Sequence, residues 1–324
     1  MSRDAGTSMG GRWQGRAPAK VNLFLRILTR EAEGYHQIET CFQALELSDR
    51  VTVEMVARPG IHLEVEGIGA GELGPGHENL AVRAAREWLQ AVRLKGHEDP
   101  SGHGSGIRIH LEKAIPHGAG LGGGSSDAAA VLRGLDELHG HPLGVPRLAQ
   151  VGAVLGADVP FFVLDRPRAL GWGRGDRLIP LPSLPVREVI LGLPDFGIAT
   201  PWAYGLLAEQ RTESEIGWPG AAIVALDELD RWESMEEMAE NAFQTPLEAV
   251  HRELALIREG LAEAGARPTL LSGSGSAVFG VAPVGGLPEG SLSALGRALP
   301  GVRWIRTRTL GGGKDSLGEA AGRE

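Results

Sequence analysis

A glycine-rich segment between a predicted strand and a predicted helix carries the clearest chemical signal in the sequence. It runs from Lys113 to Ala129 as KAIPHGAGLGGGSSDAA, with three successive glycines at 122–124 followed by Ser125 and Ser126. Glycine lets the backbone approach an anion closely and adopt a positive φ without a Cβ clash. The first-turn N–H groups and the positive end of the helix dipole face the same loop. The pattern favours a phosphate site over a plain turn in which a serine only caps the helix.

Two other nucleotide-binding loops fit this segment less well. The pattern G-x-G-x-x-G of dinucleotide-binding folds is satisfied by Gly118, Gly120 and Gly123. Asp136 lies near the spacing of a ribose-binding acid, but it falls within the predicted helix and not after a second strand. A Walker A loop needs G-K-[ST], which does not follow the glycines. A hydride-transfer enzyme stays an alternative, and binding of NAD or of ATP distinguishes the two.

The elements around the loop predict an α+β fold. Alternating apolar residues predict strands at 20–28, 50–56, 61–66 and 106–115. Helical spacing predicts helices at 78–94 with Asn79 as the cap, at 125–140 with Gly140 as the stop, at 220–230 and at 245–264. Strands and helices interleave without a regular βαβ period, which favours α+β over a doubly wound sheet.

A stretch rich in Pro, Gly and Arg at 165–185 predicts a boundary between two domains. We therefore expect an N-terminal domain over residues 1–165 and a C-terminal domain over 166–310. Residues 311–324 are predicted to form a solvated tail. The chain of 324 residues is long enough for two cores.

Composition and charge exclude several classes of protein. The formal net charge of −9 provides no basic face for a nucleic-acid backbone. The single cysteine, Cys41, excludes an intrachain disulfide and suits a reducing compartment. No window approaches the roughly 20 apolar residues of a membrane span. We expect a cytoplasmic protein with a small-molecule partner, without nucleic acid or membrane partners, and either monomeric or homodimeric.

Four separate motifs carry a resemblance to a known family. The segment Pro116–Ser126 resembles the second motif of the GHMP kinases. Ala17–Leu23, followed by Glu33–His36, is similar to the PAKxNLxL and DGYH elements of the diphosphocytidyl-methylerythritol kinases, with Glu33 in place of their Asp. Gly156–Phe162 resembles the GADVPF element of the same family, and Leu271–Phe279 resembles its C-terminal glycine motif. The matches occur in order over residues 17 to 280.

The resemblance implies a two-domain kinase that transfers the γ-phosphoryl group of ATP to an alcohol. It makes Asp158 the general base and puts Lys20 beside it, where the lysine neutralises charge on the γ-phosphate. Magnesium arrives with ATP, and Ser126 is the proposed direct ligand. The implied ATP-binding residues are Pro116, His117, Gly118, Ala119, Gly120, Leu121, Gly122, Gly123, Gly124, Ser125 and Ser126.

The implied acceptor is CDP-methylerythritol, the intermediate of the non-mevalonate isoprenoid pathway that is phosphorylated on its C2 hydroxyl. Tyr35 and His36 are implied to hold the cytidine, Tyr204 to complete the stack, and Asn22 to contact substrate from the same strand face as Lys20. The 272–276 loop is implied to close the cleft near the phosphates. Mevalonate or homoserine kinases would lack the Tyr35–His36 pair, and a GHMP-fold binding protein would be expected to lack Lys20 or Asp158.

Each of these residues also has an ordinary structural reading. Asp158 could be a turn or cap residue before Val159, and Lys20 a charge at a strand edge. Asn22 could be a polar residue on the solvent face, and Tyr204 an aromatic in the core. Burial and hydrogen bonding in the structure separate these readings from the functional ones.

Overall fold

A computed structural model describes residues 11–30, 36–72, 76–96, 105–210 and 228–312. The six strands of its first sheet are β1 (Arg12–Arg30), β2 (His36–Val56), β3 (Gly60–Gly67), β4 (Gly106–Lys113), β5 (Arg168–Gly173) and β6 (Arg177–Pro180). Their order is β3-β4-β2-β5-β6, with β1 paired to β2. The only parallel pair in the described part of this sheet joins β3 and β4, and the other pairs are antiparallel.

The second sheet consists of β7 (Glu188–Leu193), β8 (Thr269–Leu271), β9 (Val278–Val281) and β10 (Arg303–Arg308). It is antiparallel, with the strands in the order β10-β7-β9-β8. Val189, Leu191 and Phe279 of this sheet share one buried cluster with Val21 and Leu23 of β1. The central part of β1 is therefore covered on both faces, and residues 17–25 are all buried.

Helices cover both sheets. Those packed into the core with the first sheet are α1 (Leu80–Leu94), α2 (Gly123–Leu138), α3 (Val145–Leu155) and α4 (Val159–Val163). The remaining described α-helices are α5 (Thr200–Gln210), α6 (Trp232–Glu237), α7 (Gln244–Val250), α8 (Arg252–Glu263) and α9 (Ser291–Ala298). The α+β prediction is confirmed. No helix in the described ranges has both the length and the apolar character needed to cross a bilayer.

Local predictions had different outcomes. Asn79 caps α1, since its side chain accepts a hydrogen bond from the Ala81 N–H at 2.9 Å. The predicted single helix over 245–264 is wrong, because His251 adopts a non-helical backbone between α7 and α8. The predicted helix over 220–230 lies largely outside the described residues, and Glu228–Asp230 form a short 3-10 turn.

Strands β5 and β6 lie beyond the predicted domain boundary, yet they extend the first sheet to Pro180. Sheet pairing alone therefore puts residues 168–180 with the N-terminal sheet. The domain limits 1–165 and 166–310 stay predictions, and most of the predicted tail at 311–324 lies outside the described residues.

Candidate active site

Lys20 and Asn22 form a buried polar pair in the middle of β1. Each is 3% exposed, and the Lys20 Nζ donates a 2.8 Å hydrogen bond to Asn22 Oδ1. The Asn22 amide donates in turn to Thr40 Oγ1 at 2.8 Å, which fixes its orientation. Readings of Lys20 as a strand-edge charge and of Asn22 as a solvent-facing residue are therefore wrong. The shared strand face predicted for the two side chains is confirmed.

Asp158 faces this pair from the start of α4. Its Oδ2 lies 3.5 Å from Lys20 Nζ, and its side chain is 32% exposed. It occupies the residue before the helix, but its carboxylate makes no capping hydrogen bond to the first turn. The carboxylate instead contacts Lys20 and lines the adjacent cavity. The capping interpretation is therefore wrong.

The glycine loop leads from β4 into α2. The helix begins at Gly123, two residues before Ser125, because Gly122 takes the N-cap position with a left-handed backbone at φ 74°. Ser125 and Ser126 thus lie inside the first turn and neither serine caps the helix. The first-turn N–H groups ahead of Ser126 have no acceptor within the helix, whereas the Ser126 N–H donates to the Gly122 carbonyl at 2.9 Å. This end of α2 is prepared to bind an anion.

The loop is held against the lysine and against the second sheet. The backbone N–H of Lys20 donates to the Leu121 carbonyl at 2.9 Å, and Ser272 Oγ donates to the Gly120 carbonyl at 3.0 Å. A Cβ added to Gly122 would lie 3.1 Å from Lys20 Cγ, and one added to Gly273 would lie 3.1 Å from Lys20 Nζ. The backbone of two glycine-containing segments, 118–124 and 273–275, therefore packs directly against the Lys20 side chain.

A second buried ion cluster lies beneath the loop, and no local sequence pattern indicates it. Lys113, at the end of β4, is hydrogen-bonded to Asp49 of β2 and to Asp127 of α2, the latter at 2.5 Å. Asp49 Oδ1 also accepts the N–H groups of Ala114 at 2.6 Å and Ile115 at 2.8 Å. The cluster therefore joins two strands and α2 directly below the loop.

Burial and charge shift the ionisation of this cluster. Burial raises the pKa of Asp127 to about 7, with Lys113 opposing the shift and Asp49 adding to it. Burial lowers the pKa of Lys113, but the two carboxylates outweigh it and the net shift is upward. The lysine is thus held as a cation between two carboxyl groups.

A cluster of aromatic side chains lies at the cavity near Asp158. His36 and Tyr204 are stacked, with ring centres 4.6 Å apart and planes at 24°. The Phe243 and Tyr204 rings meet edge to face, with ring centres 4.8 Å apart and planes at 90°. Burial, and secondarily the charge of Asp158, raise the pKa of Tyr204 to about 12, so its hydroxyl keeps its proton. Tyr35, predicted to stack beside His36, lies outside the described residues.

A cavity of about 660 Å³ connects these parts. Its wall brings together most of the predicted site: Lys20, Asn22, residues 116–125, Asp158 and Tyr204. Ser126 is buried behind the wall, where its Oγ has no hydrogen-bond partner among the described residues, and His36 reaches the site through its stack on Tyr204. Sequence reasoning did not select several other wall residues: Glu78, Asn79, Lys113, Asp127, Arg174, Thr200 and Phe243.

Family models and known relatives match large parts of this chain. Residues 79–166 match the model of the GHMP kinases N terminal domain, and residues 222–300 match that of the GHMP kinases C terminal region. A 4-diphosphocytidyl-2-C-methyl-D-erythritol kinase of Thermus thermophilus is 40% identical over 94% of this chain and 98% of its own length. One from Solibacter usitatus is 38% identical over 82% of this chain and 80% of its own.

A solved structure is similar over almost the whole fold. The crystal structure of a 4-(cytidine 5'-diphospho)-2C-methyl-D-erythritol kinase superposes with a TM-score of 0.71 at 36% identity, covering 93% of this chain and all of that one. This structure and the two relatives above carry names of the same enzyme.

Proposed function

Since the chain belongs to the GHMP kinases and, within them, to the 4-diphosphocytidyl-2-C-methyl-D-erythritol kinase family, we propose that it phosphorylates the C2 hydroxyl of that CDP-linked alcohol. ATP is the phosphoryl donor, and the products are the 2-phosphate and ADP. The reaction belongs to the non-mevalonate pathway of isoprenoid biosynthesis.

One observation carries the proposal beyond family membership. A lysine and a carboxylate 3.5 Å apart open into the same cavity as an anion-binding helix N-terminus. Phosphoryl transfer needs positioning, neutralisation of charge and a group that takes the hydroxyl proton. These three requirements correspond to the glycine loop, Lys20 and Asp158.

The transfer proceeds in one displacement at phosphorus. The oxygen of the C2 hydroxyl forms a bond to the γ-phosphorus, and Asp158 Oδ2 accepts the proton of that hydroxyl. At the same time the bond from the γ-phosphorus to the β–γ bridging oxygen breaks, and ADP leaves. Lys20 Nζ, oriented by Asn22, stabilises the negative charge on the transferred group. No residue is required as a nucleophile, so we expect no phosphoenzyme.

The glycine loop is proposed to hold the triphosphate. The unpaired N–H groups of the first turn of α2 donate to phosphate oxygens, and positive-φ glycines bring the backbone close to them. The wall of the cavity supports this role, since residues 116–125 form a continuous part of it.

Magnesium is proposed to enter with ATP, where it neutralises phosphate charge. Mg²⁺ prefers oxygen ligands, and the site fits that preference. Ser125, in the first turn of α2, lies on the cavity wall. The next residue, Ser126, is buried, and its Oγ has no hydrogen-bond partner among the described residues. Ser126 is the proposed direct protein ligand.

The cytidine is proposed to bind at the aromatic end. The His36 and Tyr204 rings stack on each other, and a pyrimidine base is proposed to stack on an outer face of this pair. Tyr35 keeps its predicted stacking role. A base bound there and an alcohol at Asp158 would extend along one cavity.

The test is release of ADP by purified protein with Mg-ATP and one of three alcohols: the CDP-linked methylerythritol, mevalonate or homoserine. We expect selective turnover of the CDP-linked alcohol. Turnover of another alcohol would support the assignment as a kinase but contradict the assignment of the acceptor. If the protein binds ATP but releases no ADP with any of the three alcohols, a GHMP-fold binding protein would be favoured.

A further inference from the structure

The segment between α6 and α7 is attached to β1 by backbone hydrogen bonds. The Leu25 N–H of β1 donates to the Glu240 carbonyl at 2.8 Å, and the Ala242 N–H donates to the Leu25 carbonyl at 2.9 Å. These bonds form a short parallel bridge between Leu25 and Asn241. The position of Asn241 is therefore set relative to the strand that carries Lys20.

The Asn241 side chain is buried and makes three hydrogen bonds. It is 7% exposed. Its amide Nδ2 donates to the Leu271 carbonyl at 2.7 Å and to the Gly273 carbonyl at 2.8 Å. Its Oδ1 accepts the Phe243 N–H at 2.9 Å. One side chain thus joins the segment before α7 to the glycine segment 273–275.

The amide contact leads to Lys20. Gly273 has a left-handed backbone at φ 56°. A Cβ added to it would lie 3.1 Å from Lys20 Nζ and 3.6 Å from Asn22 Oδ1. The residue whose carbonyl Asn241 holds is thus packed against the ammonium group. Loss of the Asn241 amide would release the backbone that confines this group.

The carbonyl contact leads to the aromatic end of the cavity. Asn241 accepts the N–H two residues on, in a local turn that ends where α7 begins. The Phe243 ring is 1% exposed and packs edge to face on Tyr204, which in turn stacks on His36. The same asparagine therefore supports the rings at which the base is proposed to bind.

We propose that Asn241 is a positioning residue for phosphoryl transfer. Its amide holds the 273–275 segment against Lys20, and its carbonyl oxygen holds Phe243 against Tyr204. The inference rests on the proposed function, because it assigns the support of that site to a residue outside the described cavity wall. A buried amide that only stabilised the fold would not act through Lys20 in particular, so the two roles differ in a measurable way.

Two substitutions separate the two contacts. In Asn241→Ser the hydroxyl can still accept the N–H two residues on, but the amide that holds the two carbonyls is gone. Asn241→Ala removes both contacts. Calorimetry with cytidine, in the presence of a saturating non-hydrolysable ATP analogue and Mg²⁺, measures the aromatic end. We expect Asn241→Ser to stay within twofold of the wild-type affinity and Asn241→Ala to bind cytidine about fivefold more weakly.

A double-mutant cycle tests whether Asn241 acts through Lys20. Asn241→Ser should lower kcat for the CDP-linked alcohol about tenfold. In a Lys20→Met background the same change should lower kcat less than twofold, because the group that it positions is absent. Thr309→Val is the matched control, since it removes a buried hydrogen bond from the Arg187 N–H outside the described cavity wall. It should lower kcat less than twofold in either background.

Chemical labelling gives a readout that does not depend on turnover. Acetic anhydride reaches a buried amine only when the structure around it opens. Without nucleotide, Asn241→Ser should raise the labelling rate of Lys20 about tenfold. Lys113 should stay within twofold, although its side chain is equally buried, at 5% against 4% exposed. Peptide mass spectrometry measures both lysines in one sample, and Thr309→Val should change neither.

The outcomes separate this proposal from the proposed function. Equal losses of kcat in both backgrounds, or equal gains of labelling at Lys20 and Lys113, would indicate a general loss of stability and overturn the positioning role. Unchanged kinetics and labelling in Asn241→Ser would overturn it too. Turnover of another alcohol by the wild type would contradict the proposed acceptor, and the cycle would then be measured with that alcohol. If no alcohol is turned over, the labelling contrast still decides the role of Asn241. If the serine variant does not fold, Asn241→Asp keeps the size and the acceptor oxygen, and it should show the same contrast between the two lysines.

Discussion

Two buried lysines flank the glycine loop, and their surroundings differ. Lys20 has one carboxylate partner, Asp158, at 3.5 Å, and that side chain is 32% exposed. Lys113 has two carboxylate partners whose side chains are 0% and 4% exposed, and the Asp127 contact is 2.5 Å. The first is an open pair at the wall of the cavity, whereas the second is a closed cluster that reaches the wall only through Lys113 and Asp127.

The difference separates two uses of the same residue types. In the open pair the carboxylate keeps one side toward the cavity, so it can exchange a proton with a bound alcohol. In the closed cluster Asp49 and Lys113 spend their hydrogen bonds on protein groups, including the N–H groups of Ala114 and Ile115 before the loop. We therefore expect the pair to control the rate and the cluster to control stability and the position of the loop.

Asp158→Asn is expected to show the largest effect. The amide keeps the size of the side chain but does not accept the proton, so kcat should fall by about 10²- to 10⁴-fold. The melting temperature should change little, because Asp158 is one-third exposed and caps no helix. Steady-state kinetics and thermal melting measure the two quantities.

Asp195→Asn is the control for this prediction, since Asp195 is an exposed carboxylate in a loop outside the cavity wall. We expect its kcat to stay within twofold of the wild type. If Asp158→Asn also stays within threefold, Asp158 is not the base.

Lys113→Met should instead act on stability. Removing the lysine leaves two buried carboxyl groups without their shared cation, which typically lowers the free energy of unfolding by about 3–5 kcal/mol. Lys20→Met is the matched change in the open pair, where the partly exposed Asp158 can stay hydrated, so we expect a smaller loss of stability with a larger loss of kcat. Urea unfolding and kinetics of both variants test this, and equal stability losses would remove the distinction.

How far the sequence predicts the site depends on the range of the contacts. The glycine loop is formed by residues that are close in sequence, so its residue types predict it directly. The two-residue spacing of Lys20 and Asn22 also correctly predicts a shared strand face. The closed cluster was missed because Asp49 lies 64 residues before Lys113 in sequence. No local pattern marks a carboxylate whose partner comes from another strand.

Other misses have equally physical causes. The stretch VPFFV reads as a short apolar run, for which periodicity cannot distinguish a strand from a helix, yet it forms α4 and positions Asp158. The break at His251 has no Gly or Pro to signal it. Alternation in β1 predicts one buried face, whereas packing of the second sheet buries both and encloses Lys20.

The closed cluster also predicts a dependence of stability on pH. The pKa of Asp127 rises from 3.8 to about 7 on folding, so the folded state binds more protons between these values. The contribution of this group to the free energy of unfolding is then largest below about pH 4 and falls as pH rises to about 7, by about 1–4 kcal/mol. Asp127→Asn should lack this fall. The measurement is urea unfolding of both proteins across this range without nucleotide, and parallel curves would contradict the assignment.

Gly122→Ala tests how closely the loop and the open pair are coupled, with the smallest expected effect. A Cβ at this position would lie 3.0 Å from the Phe162 ring and 3.1 Å from Lys20 Cγ, and the backbone has φ 74°. Gly118→Ala is the matched control, since it has a similar φ of 68° but meets nothing within 4 Å. Both variants carry the same backbone strain, of about 1 kcal/mol. Only Gly122→Ala should displace Lys20, so we expect its kcat/KM to fall about tenfold below that of Gly118→Ala. Equal kinetics in the two variants would mean that the contact with Lys20 adjusts without consequence, and that the loop acts on ATP alone.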